Sequence, residues 1–264
     1  MTTGSHPVRP TALVTGASSG LGECFARQLA AAGNDLVLVA RNRAAMERLA
    51  LELQAAHGTS SEVVSADLGD RGQLAMVAER ITGGPPVHTV VNNAGFGFYG
   101  PVTSHQLEQE LGMVDVDVAA VVALTYAALE AMVPRGAGRI LNVASIAAFA
   151  ATPDSATYSA AKAFVLMLTE AVHDEVAASG LQVSVLCPGF TRTNFQKNAG
   201  IVAKGLPGFV WGEADAVVKA GLDALERNQA VCVPGLVNKV TAVSPRFSPR
   251  GLTRRIANSV MRRL

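Results

Sequence analysis

At 264 residues, with 49% hydrophobic and 16% charged side chains, the chain can bury one large core, and its composition excludes general disorder. A formal net charge of +1 argues against nucleic-acid binding through the overall field. Cys24, Cys187 and Cys232 lack CxxC spacing and the five histidines lack any HExxH-like pattern, so no disulfide framework and no metal site is expected, and a reducing, cytoplasmic setting fits.

The first residues are polar and carry two prolines, without the charged start and apolar centre of a signal peptide. Short apolar, branched runs then alternate with stretches of helical period. In chain order the sequence predicts strand 12–14, helix 21–32, strand 36–40, helix 44–57, strand 63–66, helix 71–82, strand 87–91, helix 107–134, strand 140–143, helix 155–179 and strand 183–186. A loop over 189–212, rich in Gly, Pro, Phe and Asn, precedes helix 213–227 and a last strand, 230–233. The apolar run over 118–132 is interrupted by Glu130 and falls short of the roughly 18 to 20 residues a spanning helix needs, so no transmembrane segment is expected.

This βα rhythm predicts an α/β fold, a doubly wound parallel sheet of the Rossmann type in a single three-layer α/β/α domain over 1–234. No repeat or linker divides it. The remaining segment, 235–264, contains no acidic residue but holds Lys239, Arg246, Arg250, Arg254, Arg255, Arg262 and Arg263 among apolar residues. It reads as a basic amphipathic extension, either a solvated terminus or a surface against a partner subunit, the pocket mouth or, weakly, a membrane.

Directly after the first strand comes the turn Thr15-Gly16-Ala17-Ser18-Ser19-Gly20-Leu21-Gly22, which opens a helix. Glycines there let backbone approach a dinucleotide diphosphate, and the helix start supplies N–H donors and partial positive charge. At the end of the second strand the chain reads Val39-Ala40-Arg41-Asn42-Arg43, with no acid to grip the 2′-hydroxyl of NAD. Arg41 suits the 2′-phosphate instead, which favours NADP(H) over NAD(H); Arg43 either assists or belongs to the solvated helix start.

Tyr158 and Lys162 stand four residues apart in Tyr158-Ser-Ala-Ala-Lys162 and share a helix face. A phenol has a pKa of about 10, and an adjacent ammonium favours its anion, which suits it to acid/base work on a carbonyl oxygen. Ser145 ends the strand before this helix, at the edge where doubly wound sheets hold ligands.

Together, TGASSGLG, the Asn92-Asn93-Ala94-Gly95 turn, Ser145, YSAAK and Pro188-Gly189 closely resemble the short-chain dehydrogenase/reductase family, from Thr11 to about Val233. The resemblance implies that Gly16, Ser18, Ser19, Gly20, Leu21 and Gly22 line the cofactor diphosphate, and that Asp67 and Leu68 lie near its adenine. Asn93, Ala94 and Gly95 would support its centre. Pro188 and Gly189 would border the nicotinamide, with Thr191 or Thr193 near its carboxamide or phosphates. Tyr158 would be the proton donor or acceptor, Ser145 would orient the substrate oxygen, and Lys162 would bind the nicotinamide ribose and lower the tyrosine pKa. Where the family usually places an asparagine of a proton relay, this chain has Asp117, which brings charge to that place.

The implied activity is NADP(H)-dependent interconversion of a carbonyl compound and its alcohol; a non-catalytic NAD(P)-binding sensor or scaffold is the alternative. Phe96, Phe98, Tyr99, Phe149, Phe190, Phe195, Phe209 and Trp211 suggest an apolar small-molecule substrate. Family members commonly pair through two long helices, here 107–134 and 155–179, which implies a homodimer or homotetramer.

Overall fold

The computed structural model describes residues 9–193, 195 and 208–247, with backbone alone at 209 and 243–247. In β1 (Thr11–Thr15) Ala12 and Val14 face one side of the sheet and Leu13 the other, all fully buried. β2 (Asp35–Ala40) repeats the pattern, with Leu36 and Leu38 on the first side and Val37 and Val39 on the second. A strand apolar on both faces is stable only between two helical layers, and both are present.

On the first face pack α1 (Gly20–Ala31), α2 (Arg43–His57) and α7 (Ala214–Glu226), through Phe25, Met46, Leu53 and Val218. On the other pack α3 (Arg71–Thr82), α5 (Ala120–Met132) and α6 (Ala156–Glu175), through Val77, Ile81, Leu124 and Val172. Each fully buried side chain of this size stabilises the fold by about 1.5–3 kcal/mol. Helix starts follow local chemistry: Asn42 Oδ1 accepts from Ala45 N at 3.1 Å and Asp70 Oδ1 from Gln73 N at 2.9 Å.

With β3 (Ser61–Ser65), β4 (Thr89–Asn92), β5 (Gly138–Val143), β6 (Leu181–Leu186) and β7 (Val231–Cys232), the described strands form one parallel sheet ordered β3-β2-β1-β4-β5-β6-β7. The chain winds outward from β1 to β3 and then returns to β4. The crevice at the carboxyl ends of β1 and β4 is therefore the switch point at which such sheets bind ligands.

Two helices differ from the sequence pattern. The helix expected over 107–134 is α4 (Leu107–Val114), a π turn (Asp115–Ala119), α5 and a final 3-10 turn (Val133–Arg135) in direct succession. Joined, Leu107–Arg135 is long and apolar enough to cross a membrane by length and composition, contrary to the sequence reading. Its apolar content is split between an inner face packed in the core and an outer strip of Val122, Tyr126 and Val133. α6 stops at Glu175, short of the expected 179, and Ser179 caps a turn by donating to Val176 O at 2.7 Å. The basic extension begins with a helix, α8 (Leu236–Phe247), that packs on the 3-10 turn Ile146–Phe149; residues 248–264 lie outside the described residues.

Behind the crevice, Asn92, Thr125, Asn142 and Thr169 form a buried polar network. Asn92 Nδ2 donates to Asn142 Oδ1 at 2.9 Å and to Thr125 Oγ1 at 3.2 Å, and Asn142 Nδ2 donates to Thr169 Oγ1 at 2.9 Å. Bonds of this kind tie the ends of β4 and β5 to α5 and α6, which carry the candidate site.

Candidate active site

At the carboxyl end of β1, Gly16 has φ +67°, and a Cβ there would lie 2.8 Å from Asn93 Nδ2. At Gly22 a Cβ would collide with the carbonyl of Gly16. The turn is thus bare backbone folded against the start of α1, with the Ser19 side chain exposed and not capping the helix. Such a cradle fits a dinucleotide diphosphate, which needs close backbone approach and N–H donors.

Thr15 locks this turn to the next. Its hydroxyl accepts from Asn93 N and Ala94 N, both at 3.0 Å, while Asn93 Nδ2 donates to Thr15 O at 2.9 Å. Leu68 is buried behind β2, and Asp67 stands at the rim with its Oδ1 accepting from Gly69 N at 3.0 Å. Arg41 is 78% exposed, its Nη1 4.0 Å from Asp67 Oδ2, so its guanidinium is open to an incoming anion.

From the other side Thr193 reaches the place where a Gly20 Cβ would be, 3.6 Å away. Thr191 is buried and bridges to Gly212, with Arg192 N donating to Gly212 O at 3.0 Å, so the two ends of the 189–212 segment are tied together. Of that segment, 194 and 196–207 lie outside the described residues, and of Phe209 only the backbone is described. Pro188 O accepts from Ile146 N at 2.9 Å, joining the Pro188-Gly189 turn to that of Ser145.

Ser145, Tyr158 and Lys162 converge at the end of β5. The Ser145 hydroxyl lies beside the Tyr158 phenol and favours its ionised form, and Lys162 Nζ lies 5.6 Å from the Tyr158 ring centroid. Phe195 packs on the ring at 5.8 Å, and a Cβ at Gly97 would lie 2.8 Å from it. Lys162 is buried, donates to Val143 O at 3.3 Å, and meets Asp117 Oδ2 at 2.9 Å as a charge contact rather than an aligned hydrogen bond. Asp117, fully buried in the π turn, accepts from Phe96 N at 3.0 Å through Oδ1. Gly95 makes room for the pair, since a Cβ there would approach both Asp117 and Lys162 to about 3 Å. Single π turns occur often at functional sites.

Charge balance here departs from the sequence-based expectation. The Tyr158 phenol lies above its ordinary value: desolvation pushes it up and Asp117 adds to this, while Lys162 and the neighbouring Ser145 hydroxyl pull it down. Burial also pushes the Asp117 carboxyl up, opposed chiefly by Lys162. For Lys162, burial opposes the charge, but Asp117 and Tyr158 outweigh it, and the ammonium is held charged. Lys162 therefore favours the phenolate, as expected, without bringing it below the usual tyrosine range.

Three contributors escaped the sequence reading. Thr15 belongs to the glycine motif without a sign of its own, and Gly97 shows only as a glycine between two phenylalanines. Asn238 of α8 packs where a Gly189 Cβ would be and donates to Pro234 O at 2.7 Å, a contact with no local signature. Among the described residues no group of His, Cys, Asp or Glu is arranged to hold a metal ion.

A family model described as short chain dehydrogenase matches residues 10–201. Ketoacyl reductase HetN of Nostoc sp. is 33% identical over 216 residues, covering 80% of this chain and 74% of that protein. The solved short-chain dehydrogenase from Sphingobium yanoikuyae in complex with NADPH has a TM-score of 0.84 at 33% identity, over 92% of this chain and 94% of that one. The bulky-bulky ketone specific alcohol dehydrogenase from Comamonas testosteroni has a TM-score of 0.78 at 30% identity, over 90% and 93% of the two chains.

Proposed function

Because the chain belongs to the short-chain dehydrogenase family of NAD(P)-dependent oxidoreductases acting on CH–OH groups, we propose that it interconverts an apolar ketone or aldehyde and its alcohol with NADP(H), using Tyr158 as acid/base. The observation that carries this reading is the convergence of the Ser145 hydroxyl, the Tyr158 phenol and the Lys162 ammonium beside a glycine cradle.

Gly16, Ser18, Ser19, Gly20, Leu21 and Gly22 would hold the diphosphate, and Asp67 and Leu68 would lie near the adenine. Asn93, Ala94 and Gly95 would support the centre of the cofactor, with Lys162 on the nicotinamide ribose, while Pro188, Gly189, Thr191 and Thr193 would border the nicotinamide. When bound, the reduced nicotinamide supplies the hydride. Ser145 donates a hydrogen bond that orients the substrate oxygen, and Tyr158 gives that oxygen its proton as charge develops there. Lys162 stabilises the phenolate left behind. In alcohol oxidation the phenolate takes the proton back. Phe96 and Phe98 stack edge-on at 5.6 Å, and Phe190 and Trp211 pack at 5.8 Å, which supports an apolar substrate. The ketone handled by the Comamonas relative agrees with this class. An assay of NADPH consumption over apolar ketones, aldehydes and β-ketoacyl thioesters tests the reading; turnover of at least one is expected, and inertness toward all of them contradicts it.

NADP(H) preference rests on Arg41 and on the absence of an acid at the end of β2, and the NADPH of the Sphingobium relative supports it. Arg41→Ala is expected to raise KM for NADPH by about 10- to 100-fold, the worth of a charged hydrogen bond, and to leave KM for NADH nearly unchanged. Parallel initial-rate measurements with the two cofactors check this.

Self-association, as a homodimer or homotetramer, is supported by the outer faces of the two long helices. There Leu111, Tyr126, Phe164 and Met167 are 43 to 68% exposed. The double variant Tyr126→Glu/Met167→Glu is expected to elute as a smaller species in size-exclusion chromatography with light scattering.

A further inference from the structure

The cation beside the candidate acid is not free to act on it alone. Lys162 lies between two acids on different elements: its Nζ is 2.9 Å from Asp117 Oδ2 in the π turn and 5.6 Å from the ring centroid of Tyr158, one turn back on α6. Asp117 is fully buried and Lys162 nearly so, so neither water nor salt screens their charges. Around the phenol stand Lys162, Asp117, the Ser145 hydroxyl and the Cys187 thiol. Burial holds Cys187 in its neutral thiol form. Among the described residues, the charges that act on Tyr158 at neutral pH are therefore one cation and one anion, which sum to zero.

We propose that Asp117 is a positioning residue acting through Lys162: its buried carboxylate cancels the charge of the ammonium, keeps the Tyr158 hydroxyl in its proton-donating form, and so specialises the site for carbonyl reduction over alcohol oxidation. The inference rests on the reading of Tyr158 as the acid/base. It has a chemical logic of its own. Reduction consumes a phenol proton, whereas oxidation requires the phenolate to be present beforehand. An uncompensated ammonium at this distance favours the phenolate, and a carboxylate behind it withdraws that advantage. Position supports the role: Asp117 is held by Phe96 N and Lys162, and the missing side chain at Gly95 leaves room for that contact. A residue serving only to fix Lys162 in place could be an uncharged amide of the same shape.

That comparison is the test. The ligand-free protein is titrated by near-ultraviolet difference spectroscopy, with Tyr158→Phe subtracted to remove Tyr99 and Tyr126. In the native protein the Tyr158 signal is expected to ionise above the ordinary value of about 10. In Asp117→Asn it is expected to move down by about one unit or more. The alkaline fall of kcat/KM for reduction should move with it, and the ratio of kcat for oxidation to kcat for reduction, each at saturating substrates and neutral pH, should rise by about tenfold, the equivalent of one unit. An unmoved titration in a variant that melts normally overturns the proposal. So does a native Tyr158 that ionises below the ordinary value, a measurement that needs no Asp117 variant to fold. Full activity in Tyr158→Phe instead overturns the underlying reading of the acid, so the two failures are distinguishable.

Discussion

Replacing Tyr158 by Phe is expected to lower kcat for carbonyl reduction by about 10²- to 10⁴-fold, the usual worth of a positioned general acid. The fold should survive. The ring contributes its packing against Phe195 and Gly97, and the substitution keeps the ring while removing only the hydroxyl beside Ser145. NADPH should still bind, because the glycine cradle, Arg41 and the Thr15–Asn93 lock are untouched. Steady-state kinetics with NADPH fluorescence titration separate the two effects. A variant that loses binding and turnover together would point to a structural role for the hydroxyl.

Replacing Lys162 by Met is expected to abolish turnover and to destabilise the fold by about 3–5 kcal/mol at neutral pH, because it leaves the buried Asp117 carboxylate without its counter-charge. The pH dependence identifies the cause. Burial already raises the Asp117 carboxyl in the native fold, and Lys162 is the largest influence opposing it. Without that ammonium the folded-state value rises further above the unfolded one. Folding of the variant then favours the protonated acid: its deficit should be smallest below the unfolded carboxyl range and should grow as pH rises through the folded-state value. Denaturant unfolding of both proteins at acidic and neutral pH checks this, with the gap expected to widen toward neutrality. A gap independent of pH would mean that lost packing, not the stranded charge, is responsible.

How much of this was legible in the sequence depended on the range of the interaction that sets each feature. Strands such as β1 and β2 declare themselves because burial on both faces leaves no polar alternative at Leu13, Leu36 or Val37. The glycine turn and the Tyr158–Lys162 pair are also local, fixed by spacing within one turn of helix. The π turn at Asp115–Ala119 carries no such local sign. Its residues have ordinary helical character, and what sets them apart is the contact of Asp117 with Lys162 and Phe96 N on other elements. Asn238 was hidden for the same reason: nothing in its neighbourhood indicates that α8 returns to cover Gly189. The balance at Tyr158 lay furthest from view, since counting an adjacent ammonium gives the direction of one influence and not the desolvation and second charge that oppose it.

In the proposed reaction a hydride reaches a carbonyl carbon in this crevice while Tyr158 protonates the oxygen. It is tested most directly with NADPH deuterated at its transferable position, by mass spectrometry of the alcohol formed from the most reactive apolar ketone. One deuterium is expected on the carbinol carbon in the product of the native protein, with a trace of that product from Tyr158→Phe. NADPH bound in the cradle with no labelled alcohol from any carbonyl compound would contradict it.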